Sequence, residues 1–433
     1  MKHLKNILFV VILAVLAFPM IQARYPVVGE KRLAGYFRLK EKPTVWNFTL
    51  KKWFGGSFQD DFQRRVEDHV GFRNSLFRIH NQYDYSLFGI SHAQGFIRGK
   101  GGILFEEDYI HEYTGKYFIG KQTLNGKLDR LKDLYLRLKK ENKDLILVFE
   151  PGKASFEPEY IPGHYRPGER SLTNYEFMIS GLQARNIPFL DLNRYFLMMK
   201  DTSRHPLFPK YSMHWSMYGL KFAIDSLVKY IGSVRNATLP RIAVTKTLFS
   251  DKPLGTDNDI GELLNLIWPL PGTPGAFPEM AVDTLSGKKS LKVLVIGDSY
   301  YLNIKKTVSD SIFGSEEYWY YNSKVYPDIV DDDNPVYIDK SDLSGKLLQF
   351  DVVLLMVSEI NLHCLYWGFI DEAYCAFHPG FREDPVSSIE NDIRINREWF
   401  RFVVAKARSQ NRSLERMIRL DAEYMYGIQS KKQ

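Results

Sequence analysis

A chain of 433 residues with 45% hydrophobic and 25% charged residues has the composition of a folded globular protein of two or three structural units. Its 58 basic and 51 acidic residues give a net charge of +7, with no dense basic block and no nucleic-acid motif, so nucleic acid is excluded as the expected partner. The aromatic share of 14% suits carbohydrate contact and core packing equally.

In chain order, Lys2, His3 and Lys5 precede an apolar stretch from Ile7 to Ile21, followed by Gln22-Ala23-Arg24. A short basic region and an apolar run of this kind fit a secretory signal or a short uncleaved anchor in the inner membrane. Ile21 is a poor residue for cleavage before Arg24, which leans the reading toward an anchor. Either way the bulk of the chain is expected in the periplasm. Residues 24–55, with Pro26 and Pro43, read as an irregular arm.

From Asp60 to Phe88 the apolar spacing of Phe62, Val66, Val70, Leu76 and Phe77 predicts helix, broken at Gly71. Residues 97–105 read as a hairpin around a glycine turn. Leu124 to Glu141 is amphipathic, with Leu128, Leu131, Leu134 and Leu138 on one face. Leu145–Phe149 is a continuous apolar strand, a helix near Asn174–Arg185 leads to a short strand at 188–190, and a helix over 216–231 follows His214. Strands over 291–296 and 351–357 come next, and the charged tail from about Glu390 reads as helical. Apolar strands alternating with helices predict an α/β fold with a mostly parallel sheet covered on both faces. Ligands in such folds bind beyond the carboxyl ends of the strands, where Glu150, Asp191, Ser299 and Glu359 fall.

Val293–Tyr300 ends a buried strand in Gly297-Asp298-Ser299, presenting a serine at a strand end and a helix start, where free N–H groups can hold an oxyanion. A serine nucleophile needs a base, and His214, in His214-Trp215-Ser216 at a loop-to-helix junction, is the best placed. Together they point to serine-based acyl chemistry. Asp298 is expected to stabilise the turn. Asn361 is a candidate oxyanion donor, and Asn322 and Lys324 are candidates for the oxyanion or the substrate. Cys364 and Cys375 could close a short loop worth roughly 3 kcal/mol or remain free thiols. No pair of histidines is spaced as metal ligands, and no metal is expected. Asn47, Asn236 and Asn411 begin Asn-x-Ser/Thr triplets, which occur often by chance.

These pieces resemble the alginate O-acetyltransferase family, exported acetyl-transfer proteins with an SGNH-hydrolase-like domain. Asp68-His69-Val70-Gly71-Phe72-Arg73 and Leu87-Phe88-Gly89 resemble its N-terminal helical segment. Gly99-Lys100-Gly101-Gly102-Ile103-Leu104-Phe105 resembles its glycine turn, with Ile103 where the family has tryptophan. Pro151-Gly152-Lys153-Ala154-Ser155 and Ile161-Pro162 resemble the segment after its first core strand. His214-Trp215-Ser216 with Gly219 resembles its histidine motif, and Gly297-Asp298-Ser299 its nucleophile motif. As in that family, and unlike ordinary SGNH hydrolases, the histidine block precedes the serine block.

The resemblance implies a three-layer SGNH-like sandwich over 106–385, after a signal or anchor at 1–23 and an N-terminal segment at 24–105, with a helical tail at 386–433. It further implies acetyl transfer through Ser299, with His214 as base, onto a polysaccharide hydroxyl. No cofactor is expected to be bound; acetyl would arrive through a membrane-bound O-acyltransferase, with acetyl-CoA upstream. The alternatives are a carbohydrate acetyl-esterase or a catalytically weak polysaccharide-binding subunit. One position departs from the pattern. The aspartate expected two residues before the histidine is Ser212. A hydroxyl cannot stabilise an imidazolium as a carboxylate does, and loss of that carboxylate costs a serine protease roughly 10⁴ in turnover. A Ser–His dyad, a carboxylate from elsewhere or a retired site are the alternatives. Asp191 is the best-placed substitute carboxylate, unless it caps the following helix.

Overall fold

The longest apolar runs become neighbouring strands of one sheet, because each is buried on both faces and can be satisfied only by helices on either side. The computed structural model describes residues 2–35, 48–165, 170–288, 290–308, 312–327 and 334–431. Pro43 and Asn47 lie outside the described residues. The chain divides into two compact units, Met1–Arg98 with Asp259–Pro271, and Gly99–Asn258 with Gly272–Gln433. The sequence reading drew its boundary at 105 and did not separate 259–271.

In the first unit the helix Lys2–Arg24 is the one described helix long and apolar enough to cross a membrane. Helices Ser57–His69 and Arg73–Phe88 follow, separated as expected at Gly71. A glycine is required there: a Cβ would lie 2.2 Å from the Pro19 carbonyl oxygen. Strand β1 (Phe96–Arg98) ends the N-terminal part of the unit.

The second unit opens on a glycine turn, closed by a 2.7 Å bond from Gly99 N–H to Ile103 C=O, and continues into β2 (Leu104–Glu106). The remaining strands are β3 (Asp144–Glu150), β4 (Phe189–Asp191), β5 (Arg241–Ser250), β6 (Gly275–Asp283), β7 (Lys292–Gly297), β8 (Ser315–Tyr320), β9 (Lys324–Val325) and β10 (Val352–Ser358). Six of them form one sheet in the order β4-β3-β10-β7-β8-β9, parallel except for β9 at the edge. This is the α/β, mostly parallel, SGNH-like architecture expected from the sequence, with helices flanking the sheet and helices at the C-terminus. β5 and β6 pair separately as an antiparallel ribbon, which the sequence reading did not anticipate.

The helix Lys121–Lys140 covers one sheet face with Leu124, Leu128, Leu131, Leu134 and Leu138, all at most 1% exposed. Strand register aligns the carboxyl ends: Ser358 is opposite Glu150, Asp191 opposite Phe149, and Gly297 opposite Tyr320. The tail is three helices, Pro385–Ile395, Arg397–Ser409 and Leu414–Ser430, beginning slightly before the expected point. Cys364 and Cys375 are free thiols, so the open alternative of a bridge is not realised.

The tail is fastened to the sheet domain through Asp108, whose carboxylate accepts from Arg397 and Arg401 at 2.7 Å and from the Tyr117 hydroxyl at 2.6 Å. Burial alone would raise this carboxyl, but the two guanidiniums outweigh it and hold it at about 2. A folded-state value below the unfolded one means stability present above pH ~4 and lost as pH falls toward 2, worth about 2 kcal/mol. Asp108→Asn is therefore expected to lower unfolding stability at neutral pH by about 2 kcal/mol. It should also flatten the acid limb of the stability curve between pH 4 and 2 in denaturant titrations.

Candidate active site

β7 ends at Gly297 because the chain must turn there, and the next helix, Ser299–Thr307, starts at once. Asp298 caps that helix, its Oδ1 accepting the Tyr300 N–H at 3.1 Å. Its other oxygen accepts from the Ser358 N–H at 3.0 Å, the Ser358 hydroxyl at 2.6 Å and the Asn361 side-chain amide at 2.8 Å. This fully buried carboxylate thus ties the end of β7 to the end of β10. The expected turn-stabilising role of Asp298 holds, extended to the neighbouring strand. Ser299, at the first helical position, keeps a backbone N–H that has no intrahelical acceptor.

The histidine arrives on a loop held from several sides. The Ser216 N–H donates to Leu207 C=O at 2.8 Å, and the Ser216 hydroxyl both donates to Pro206 C=O and caps the helix Met217–Arg235 by accepting from Gly219 N–H. A Cβ on Gly219 would lie 2.7 Å from Leu207 O, so this position needs glycine. The Lys153 ammonium, 1% exposed, donates to the carbonyls of Pro209, Lys210 and Ser212 at 2.7, 3.0 and 2.7 Å. Lys210 C=O also accepts the Leu104 N–H at 3.0 Å, joining the loop to β2. The Tyr300 hydroxyl donates within reach of Pro151 C=O at 2.9 Å and Met213 C=O at 3.0 Å, linking the residue after Ser299 to the residue before His214. Its ring meets those of His214 and Trp215 edge-on at 4.9 and 4.7 Å.

The outcome is a 2.8 Å contact between His214 Nε2 and Ser299 Oγ. Histidine is buried and serine half-exposed, so the pair faces outward from a rigid support. A neutral imidazole accepting that hydroxyl proton can raise the serine's nucleophilicity.

The other predicted residues divide differently. Ser212 uses its hydroxyl on the backbone of His214, accepting its N–H at 3.0 Å and approaching its C=O at 3.4 Å. It shapes the loop and does not take over the role of an orienting carboxylate on the ring. Asp191 caps the helix Leu192–Met199 through Arg194 N–H and accepts from the Tyr175 hydroxyl at 2.8 Å, the capping alternative already weighed for it. Asn361 is anchored on Asp298, one residue from Ser299, with Ser358 Oγ at 3.1 Å. Asn322 donates to Trp367 C=O and to Glu372, a structural arrangement in place of a substrate-facing one. Lys324 is half-buried in β9.

The roles of Lys153 and Tyr321 escaped the sequence reading. Nothing in the local sequence marks Lys153 as a buried cation, because its acceptors lie 56–59 residues away. Tyr321 donates its N–H to Gly297 C=O at 2.9 Å, two residues before the nucleophile. Burial pushes its phenol far above the usual range, so the hydroxyl keeps its proton and can donate. Glu150 and Glu359 lie on the predicted edge as neutral-leaning acids. Burial, reinforced by Asp298, pushes Glu150 well up, and burial pushes Glu359 up to about 7 despite donors from Ser155 and Asn193.

Replacing Lys153 by methionine leaves three carbonyls without their shared donor, and buried groups so abandoned cost about 1–3 kcal/mol each. Lys153→Met is expected to lower stability by several kcal/mol at most and to raise amide hydrogen exchange across 209–214. Exchange in β3, β7 and β10 should stay slow.

Residues 96–303 match the model of a family described as the SGNH hydrolase-like domain of acetyltransferase AlgX. No curated protein sequence matches the chain. Among solved structures, the O-acetyltransferase domain of Pseudomonas putida AlgJ is similar at 16% identity and a TM-score of 0.40, over 62% of this chain and 92% of that one. Pseudomonas aeruginosa AlgX is similar at 12% identity and a TM-score of 0.40, over 64% and 67%, and Bacillus cereus PatB1 at 14% and 0.34, over 62% and 96%. These are distant likenesses. The family match takes in the histidine loop, the Gly297-Asp298-Ser299 turn and the strand that leads to it, so this stretch of the chain is similar to that family's SGNH hydrolase-like domain.

Proposed function

We propose that the protein is an exported O-acetyltransferase that moves an acetyl group through Ser299 onto a polysaccharide hydroxyl. The observation that carries this reading is the 2.8 Å His214–Ser299 contact at the carboxyl edge of the sheet, inside the matched domain. In the first half-reaction Ser299 Oγ attacks the acetyl carbonyl while its proton passes to His214 Nε2. The tetrahedral oxyanion is held by the Ser299 N–H, with the Tyr321 phenol as a further donor candidate, while both amide hydrogens of Asn361 are taken by Asp298 and Ser358. Collapse expels the donor's leaving group, which takes the proton from His214. A sugar hydroxyl then attacks the acetyl-serine, giving its proton to His214, and Ser299 leaves with that proton.

A cleft of about 420 Å³ borders the histidine loop and is lined by Glu157, Tyr160, Phe208, Lys210 and Asp257 among others. Aromatic faces interleaved with carboxylates suit a sugar, and this supports a glycan acceptor. The helix Lys2–Arg24 supports tethering to the inner membrane with the catalytic unit in the periplasm. Acetyl would be delivered by a membrane-bound O-acyltransferase that draws on acetyl-CoA, leaving this chain without a bound cofactor.

Ser212 favours a second reading, a catalytically weak glycan-binding subunit, because the orienting aspartate is absent from its usual place. Turnover of a chromogenic acetyl ester separates the two. Ser299→Ala and His214→Ala are each expected to cut it by about 10³-fold or more, with the double variant no worse than either single one. Unchanged turnover in Ser299→Ala would sink the transferase proposal. Faster consumption of the ester when a glycan is added distinguishes transfer from hydrolysis to water.

A further inference from the structure

In the first unit, His80, Asp84 and His92 bring three ligand-capable atoms within 4.8 Å of one another. His80 and Asp84 are one turn apart on the helix Arg73–Phe88, so both project from the same face. The helix then stops at Gly89, whose φ of 69° reverses the chain, and the Ile90 N–H bonds Asp84 C=O at 3.3 Å. This stop folds the next segment back along the last turn and delivers His92. Its Nε2 lies 2.6 Å from Asp84 Oδ2, with His80 Nε2 3.5 Å from the same oxygen. The two imidazoles stack at 4.6 Å, 28° from coplanar. The sequence reading expected no metal-ligand spacing among the histidines; these three residues are brought together by a helix stop and not by a contiguous motif.

We propose that His80, Asp84 and His92 form a surface site for one divalent transition-metal ion of the zinc, copper or nickel class. Two imidazoles and one carboxylate are the donor set such ions prefer over magnesium or calcium. Donors about 2.0–2.2 Å from one tetrahedral ion lie about 3.3 Å apart, so the cluster must close slightly. His80 is 60% exposed and free to swing inward. His92 and Asp84 are already in contact; the imidazole carries its proton on Nδ1 when Nε2 turns its lone pair to the metal. Three protein ligands leave a coordination position open to water or to a donor from a second molecule. The ion would also cross-link the helix end to the segment after Gly89.

The full chain in detergent, with any affinity tag removed and treated with chelator, tests this by calorimetric titration with zinc, nickel and copper salts in turn. The expected result is one saturable ion per chain for at least one of the three. His80→Ala/His92→Ala should weaken its affinity about tenfold or more. Asp84→Asn, which keeps the shape of the side chain, should weaken it while circular dichroism stays unchanged. No saturable binding to the wild type, or equal affinity in the double variant, overturns the proposal.

Discussion

The buried carboxylate of Asp298 is the constraint on which the site depends. One of its oxygens starts the helix that presents Ser299, and the other holds the end of β10 and the amide of Asn361. A carboxylate with no exposure survives only when its lone pairs are fully used, and four donors meet it here. It therefore fixes the turn between β7 and the helix in one geometry. The serine inherits its position from that turn, with its hydroxyl on the outside and its backbone N–H at the helix start.

The histidine is held by different means. No strand carries His214; it sits on a loop, and a loop needs partners to place a side chain within a few tenths of an ångström. Lys153 gathers three consecutive-region carbonyls, Ser212 ties its hydroxyl to the backbone of His214, and Tyr300 bonds Met213 C=O. Tyr300 matters doubly, since it follows the nucleophile and braces the base. A shift of either element is transmitted to the other through one phenol. Ser212 is thus a structural part of the histidine loop.

Much of this was legible in the residues. The apolar runs at 145–149, 291–296 and 351–357 became β3, β7 and β10 with ends shifted by about one residue, because burial on both faces leaves a pattern that few alternatives share. The pairing of His214 with Ser299 followed from a glycine turn and a loop-to-helix junction. What stayed hidden was non-local. Burial along β5 and β6 does not alternate residue by residue, so no strong periodicity marks the ribbon. Lys153 and Tyr321 have ordinary local sequence, and their roles depend on acceptors supplied by distant segments. His80 and His92 are separated by a helix stop whose geometry the spacing of residues alone does not reveal.

The central claim is that Ser299 carries the acetyl group between donor and acceptor. The most direct measurement is mass spectrometry of peptides after brief exposure of the full chain to an activated acetyl ester and acid quench. The account predicts acetylation on the peptide containing Ser299, discharged on adding an acceptor glycan and absent in His214→Ala. Acetyl found only on lysines, or equally on Ser299 when His214 is removed, would contradict it.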